Sequence, residues 1–174
     1  MQTERQEQKR AALQIVMVRM ANGAQANEPA LLFTARQVEE VLPEVRVQPL
    51  PFAPNWLLGL CAWRQQSLPV IDAAKLYELD CALERVLHVV VRTVVPERGD
   101  GRPRQMLRCL LRVPGHIAAS NLPAQCVPAS AEESGFAPAL VKGVFAYENG
   151  LLIVPDLLPA LCPAADSIFQ MPVS

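Results

Sequence analysis

Apolar residues in this chain come in short runs broken by polar or proline-bearing connections, the pattern of half-buried strands rather than long helices. Leu13 to Met20, rich in Val, Ile and Met, reads as a first strand, and Leu31 to Phe33 as a second after the polar stretch Ala21 to Pro29. Thr34 is a candidate N-cap with Gln37 behind it. Val38, Val41 and Leu42 then share one helical face before Pro43, which predicts a short helix. Trp56 to Cys61 and Leu68 to Ile71, turned around Arg64 to Ser67, read as a hairpin, with Asp72 capping a short helix that carries Leu76 and Leu79. Arg85 to Val95 and Met106 to Val113 form a second hairpin across the Gly- and Pro-bearing loop Pro96 to Gln105, and Pro114 to Pro128 reads as irregular. A third hairpin, Val141 to Tyr147 and Leu151 to Val154, turns at Glu148-Asn149-Gly150, and Asp156 caps a last short helix.

The first and third hairpins repeat one another. Phe52-Ala53-Pro54, Gly59, Ala62, Leu68 and Asp72 recur 84 positions later as Phe136-Ala137-Pro138, Gly143, Ala146, Leu152 and Asp156, with Trp63 answered by Tyr147. That period is too long for a solenoid, whose repeats run at about 20 to 50 residues, and predicts two similar subdomains.

Composition sharpens this picture. The 16 prolines among 174 residues are nearly twice the usual share of about 5%, and each removes a backbone donor, which favours short strands and many turns. The expected architecture is therefore mainly β: a pair of small antiparallel barrels sharing a core, with a few short helices. The single domain spans 13–161, between a flexible tail over 1–12 and another over 162–174. A net charge of −1 gives no general pull toward nucleic acid or anionic lipid. Met1 to Arg10 lacks the apolar region of a signal peptide, and no run approaches the roughly 20 apolar residues of a membrane span, so a cytoplasmic protein without membrane insertion is expected.

Catalytic and metal chemistry find little support. Cys61, Cys81, Cys109, Cys126 and Cys162 include no Cys-x-x-Cys and do not cluster with His88 or His116, so reduced thiols packed as small hydrophobes are expected, with no metal and no cofactor. The only catalytic assembly on offer, Cys61 with His88 or His116 and Asp72, places the thiol mid-strand among apolar neighbours, where burial raises its pKa. Gly99-Asp100-Gly101 precedes a strand rather than a helix start and cannot cradle phosphate. Trp63 and Tyr147 suit core or rim packing better than ligand stacking.

Three blocks carry a family resemblance. Leu50-Pro51 through Gly59 and Arg64 to Leu68-Pro69-Val70-Ile71-Asp72 resembles the signature of CheW-like domains, the adaptors of bacterial chemosensory arrays. Val38-Glu39-Glu40-Val41 resembles the family's Val-x-Glu-Ile/Val helix, and Val141 to Leu158 its closing hairpin and Asp-Leu end. The similarity covers Leu13 to Leu161. It implies two SH3-like five-stranded barrels and a non-enzymatic coupling protein that bridges the cytoplasmic tip of methyl-accepting chemoreceptors to the regulatory domain of a CheA-like histidine kinase.

Carried over residue by residue, the resemblance implies a receptor-binding groove of Val38, Glu40, Val41, Gly59, Leu60 and Arg64. Arg64 stands out, because a planar, permanently charged donor pairs bidentately with carboxylates; the competing role is an intrachain partner of Glu40 or Asp72. The chain also departs from the pattern. The family's Asn-Leu-Arg-Gly turn is Ala62-Trp63-Arg64-Gln65 here, so Gln65 is expected to avoid the positive φ that glycine permits. The family's Val-Asp-Glu-Val-like stretch is Val113-Pro114-Gly115-His116-Ile117, and Ala21 to Pro29 is inserted. These differences suit a divergent adaptor, including one of an accessory system such as type IV pilus twitching, or a barrel pair reused for another partner.

Overall fold

A computed structural model describes residues 14–20, 29–81, 85–95, 104–121, 126–147 and 150–162. The expected N-terminal tail, most of the C-terminal tail, the insertion before Pro29, the loop 96–103 with its glycines and the Glu148-Asn149 turn lie outside the described residues.

Ten strands dominate: β1 Gln14–Met20, β2 Ala30–Thr34, β3 Val38–Leu42, β4 Leu57–Trp63, β5 Gln66–Asp72, β6 Val86–Val95, β7 Gln105–Asn121, β8 Val127–Ala129, β9 Val141–Tyr147 and β10 Gly150–Pro155. Two single-turn helices, α1 Ala73–Leu76 and α2 Leu158–Leu161, and a 3-10 turn over Pro138–Leu140 complete the described residues.

The 17-residue strand β7 ties the molecule together. Its first part pairs antiparallel with β6 and parallel with β5, while its last part, Gly115 to Asn121, pairs with β1. One barrel is thus β3, β6, the start of β7, β5 and β4, closed where Gln48 bridges Leu60. The other is the end of β7, β1, β2, β10 and β9, with β8 returning onto β9. Each barrel contains its own small interior: Cys61, Trp63, Leu68, Val70, Val90 and Leu110 in the β3–β6 barrel, and Ile15, Met17, Ala30 and Leu152 in the other. The largest apolar cluster lies between them and draws on both, through Val18, Leu31 and Phe33 on one side and Ile71, Val89 and Leu111 on the other. The expected shared core and pair of small barrels are what the chain adopts.

The repeat holds to the level of hydrogen bonds. Strands β4 and β9 occupy equivalent residues, and Leu57↔Ile71 followed by Gly59↔Val70 is matched by Val141↔Pro155 followed by Val154↔Gly143, so both hairpins carry a bulge at the same place. The Asp72 N–H donates to Trp56 O at 2.8 Å and the Asp156 N–H to Leu140 O at 2.8 Å, again equivalent positions.

Two expectations are corrected. Val38, Glu40 and Val41 lie on strand β3, not on a helix. The capping signals are real but close a single turn: the Thr34 N–H and Oγ1–H donate to Gln37 Oε1 at 2.9 and 3.0 Å. A two-turn helix satisfies few of its own backbone groups, whereas Val38 to Leu42 gains a ladder along β6 for which its β-branched residues are suited. Likewise Pro114 to Asn121 is not irregular. Pro114 sits where β7 leaves one barrel for the other, Gly115 takes φ 132° there, and the strand continues because β1 offers it a full partner.

Candidate functional site

The six residues expected to line a groove do not share one face. A bulge between Val38 and Glu40 turns consecutive glutamates toward the mouth of the β3–β6 barrel. Val38 is half-buried against the shared core, Val41 is exposed, and Leu60 is half-buried at the bridge to Gln48. Gly59 is buried beneath that crossing: a Cβ there would lie 2.1 Å from the Gln48 carbonyl oxygen, and its φ is 145°. Only glycine lets the chain after β3 close over β4, so Gly59 shapes the site without being able to touch a partner through a side chain.

Glu40 and Arg64, 24 residues apart, do meet. Arg64 Nη2 donates to Glu40 Oε2 at 2.9 Å, and Trp63 Nε1 donates to the same oxygen at 2.8 Å. The Arg64 guanidinium also stacks 4.6 Å from the Trp63 ring centroid. Trp63 is buried in the barrel interior with its nitrogen at the mouth, so packing holds Trp63, Trp63 holds Glu40, and both hold Arg64. An exposed ion pair contributes only about 0–1 kcal/mol, a charge-assisted hydrogen bond about 1.5–3, and an exposed cation–π contact about 0.5–1. The Trp63–Glu40 bond is the main anchor. Arg64 keeps 64% of its side-chain surface exposed.

The turn beneath Arg64 overturns the expectation for Gln65. Arg64 and Gln65 adopt φ 42° and 65°, both left-handed. With Trp63 paired to Gln66, this is a two-residue hairpin turn whose twist requires φ > 0 at both central residues, a geometry for which Asn-Gly is preferred. Strand twist selects the turn here and the side chains accept a cost of about 1–2 kcal/mol each. Arg64 is thereby projected off the hairpin tip, where an extended backbone would lay it along the strand.

Sequence reasoning missed the neighbours of this knot. Arg108 Nε donates to Glu39 Oε1 and Oε2 at 3.1 and 3.0 Å, and Arg92 Nη1 lies 3.8 Å from Glu39 Oε1. The tandem Glu39-Glu40 was visible, but its partners come from strands far along the chain. Asp72, the other partner considered for Arg64, is instead bound by Arg112 Nη1 at 2.7 Å and caps α1 by accepting from the Lys75 N–H at 3.2 Å.

The cysteine assembly is not gathered. Cys61 is buried inside the β3–β6 barrel, where burial pushes its thiol pKa up. His116 is exposed on the other barrel, opposite Arg19, and Asp72 is committed to Arg112. His88 lies opposite Arg112 on β6, with Nδ1 buried and without a hydrogen-bond partner among the described residues. Among the described residues no cluster of His, Cys, Asp and Glu is placed to hold a metal ion, and no helix is long and apolar enough to cross a membrane.

Comparison with known proteins agrees with this architecture. The family model described as CheW-like domain matches residues 14–102. The fold is similar to the crystal structure of the scaffolding protein TtCheW from Thermoanaerobacter tengcongensis, at 18% identity over 84% of this chain and 85% of that one, with a TM-score of 0.62. No curated protein matches the chain.

Proposed function

The chain belongs to the CheW-like domain family, and from that premise we propose that it is a cytoplasmic, non-enzymatic adaptor coupling the tips of methyl-accepting chemoreceptors to the regulatory domain of a CheA-like histidine kinase. The observation that carries the reading is Arg64, raised on a left-handed turn and anchored by Glu40 and Trp63 while most of its side-chain surface stays exposed. An arginine has five N–H donors in a rigid fork. One is engaged by Glu40, and the outward edge suits a carboxylate on a receptor helix. Pre-organisation matters because each immobilised long side chain costs about 0.5–1.5 kcal/mol on association, and this one is already held.

Arg64→Ala is expected to weaken binding of a purified receptor signalling tip about thirtyfold by titration calorimetry, the loss of one hot-spot contact of about 2 kcal/mol. The paired exchange Glu40→Arg with Arg64→Glu separates the two roles of Arg64. It restores an intrachain ion pair but gives up the Trp63–Glu40 hydrogen bond, so it should melt somewhat below Arg64→Ala while remaining folded, and bind no receptor. Receptor binding by the exchange variant at wild-type strength would make the pair purely structural and remove Arg64 from the site. Whether the array drives flagella or type IV pili is read from which receptor and kinase the tagged protein captures from its own organism's lysate; capture of neither overturns the adaptor reading.

A further inference from the structure

The β6–β7 hairpin is longer than the barrel it belongs to. On its β6 side, β3 ends its support at Val38↔Val91, with a last hydrogen bond from the Arg92 N–H to Gln37 O at 2.9 Å. On its β7 side, pairing with β5 starts only at Leu110. Thr93 to Val95 and Gln105 to Leu107 therefore pair only with one another among the described residues, as a two-stranded ribbon beyond the barrel mouth. Such a ribbon is marginal unless a face is covered.

Alternation shows which face is bare. Val90 and Leu110 point into the barrel interior, so the same face carries Arg92 and Arg108 at the mouth and Val94 and Met106 beyond it. Thr93, on the opposite face, is buried, whereas Val94 and Met106, directly cross-strand, are 45% and 44% exposed. Arg92 and Arg108 also face each other directly, a like-charge pairing that destabilises a sheet. Among the described residues the one carboxylate between them, Glu39, binds Arg108 through both oxygens and leaves Arg92 at 3.8 Å. Arg92 Nε donates to the Arg36 carbonyl at 2.6 Å, so its outer nitrogens lack a close carboxylate, and Arg108 Nη2 lies 3.4 Å from Met106 Sδ. Two guanidinium groups thus share one carboxylate next to two exposed large apolar side chains. The chemistry that completes this surface is a second carboxylate flanked by apolar groups.

We propose that the overhanging ribbon is a docking lip for an acidic amphipathic segment of a partner, whose apolar side chains cover Val94 and Met106 and whose carboxylate pairs with Arg92. Methionine suits such a seat because its flexible thioether adapts to irregular apolar surfaces. Charge sets the sign of the partner and orientation on the lip, and the apolar pair supplies contact area. This surface is separate from the Arg64 knot and goes beyond the adaptor reading.

The test is fluorescence anisotropy of the full chain with a labelled helical peptide carrying leucine on one face and glutamate on its flanks, beside a counterpart with lysine in place of glutamate. The glutamate peptide should bind about tenfold more tightly than the lysine peptide, reflecting the unbalanced arginine. Val94→Ser with Met106→Ser should weaken it about tenfold at an unchanged melting temperature, since both side chains are exposed, and Arg64→Ala should leave it unaltered. Equal affinity for both peptides, binding of neither, or full binding by the double serine variant overturns the proposal. So does loss of binding in Arg64→Ala, which would place the peptide in the groove and not on the lip.

Discussion

The hairpins β4–β5 and β9–β10 descend to the same bulge and the same backbone hydrogen bond from the closing aspartate, yet their equivalent side chains do different work. Phe136 is 6% exposed, in edge-to-face contact with Tyr77 at 6.3 Å between ring centroids, while Phe52 stands fully in solvent at φ 59°. A Cβ on Gly59 would strike the Gln48 backbone; on Gly143 it would meet only the Phe145 ring, at 3.1 Å. Asp72 is buried and ion-paired with Arg112, while Asp156 is half-buried, accepts from the Leu158 N–H at 3.1 Å and lies 4.0 Å from Lys142 Nζ. Local sequence builds the hairpin twice; what packs over each copy decides whether a given position is core, hinge or surface. The Phe136 copy finds a tyrosine from the other barrel, and the Gly59 copy finds the Gln48 segment that closes its own.

Breaking the comparison at its largest contrast means truncating the phenylalanines. Phe136→Ala should lose about 3–5 kcal/mol in urea unfolding, since it opens a cavity in the shared core, and Phe52→Ala should stay within about 0.5 kcal/mol of wild type. Next come the glycines. Gly59→Ala should destabilise by about 3 kcal/mol, because backbone and not a flexible side chain must yield, and Gly143→Ala by about 1 kcal/mol or less. Equal losses for the two glycine variants would mean that the Gln48 crossing does not constrain β4.

A smaller effect of opposite sign is expected at the first turn. Gln65→Gly relieves a left-handed non-glycine residue and should raise stability by about 0.5–1 kcal/mol after the added freedom of the unfolded chain is counted. A loss would show that the Gln65 side chain contributes more than its backbone strain costs.

The mildest test concerns pH. Burial first, then the charge of Arg112, lowers the pKa of His88 from its ordinary value, while Leu42 and Pro43 carbonyls and Glu44 oppose the shift. The unfolded chain therefore binds the proton more readily than the folded one. Stability is full above the ordinary histidine range, about 6.5, and declines as pH falls through it toward the lower folded value. The melting temperature should drop between neutral and mildly acidic pH, and His88→Gln should flatten that slope. An unchanged slope would place the acid sensitivity elsewhere. Asp156 has no arginine–histidine neighbour of this kind among the described residues, which makes the effect a property of the Asp72 copy.

Much of this was legible beforehand where a signal is local. Alternation located nearly every strand, the 84-residue recurrence predicted the duplicated hairpin, and Asp72 capped its helix as its position before Ala73 suggests. Thr34 and Gln37 also made the contact expected of a capping pair. The helix they announced did not follow, because a few residues of helix compete poorly with an open strand edge on β6. Pro114 misled in the same way: proline weakens a strand locally, but both flanking stretches of β7 had partners.

Chain order and residue type thus carry the strands, the turns, the proline-driven shortness of the elements and the family to which the chain belongs, since each depends on neighbours within a few positions. The left-handed pair Arg64-Gln65, the meeting of Glu40 with Arg64 and Trp63, the sharing of Glu39 by two arginines and the bare face of the β6–β7 ribbon depend on which strands lie side by side. Burial and pairing between distant segments have no local signature, and they alone determine which of two equivalent positions is packed away and which is offered to a partner.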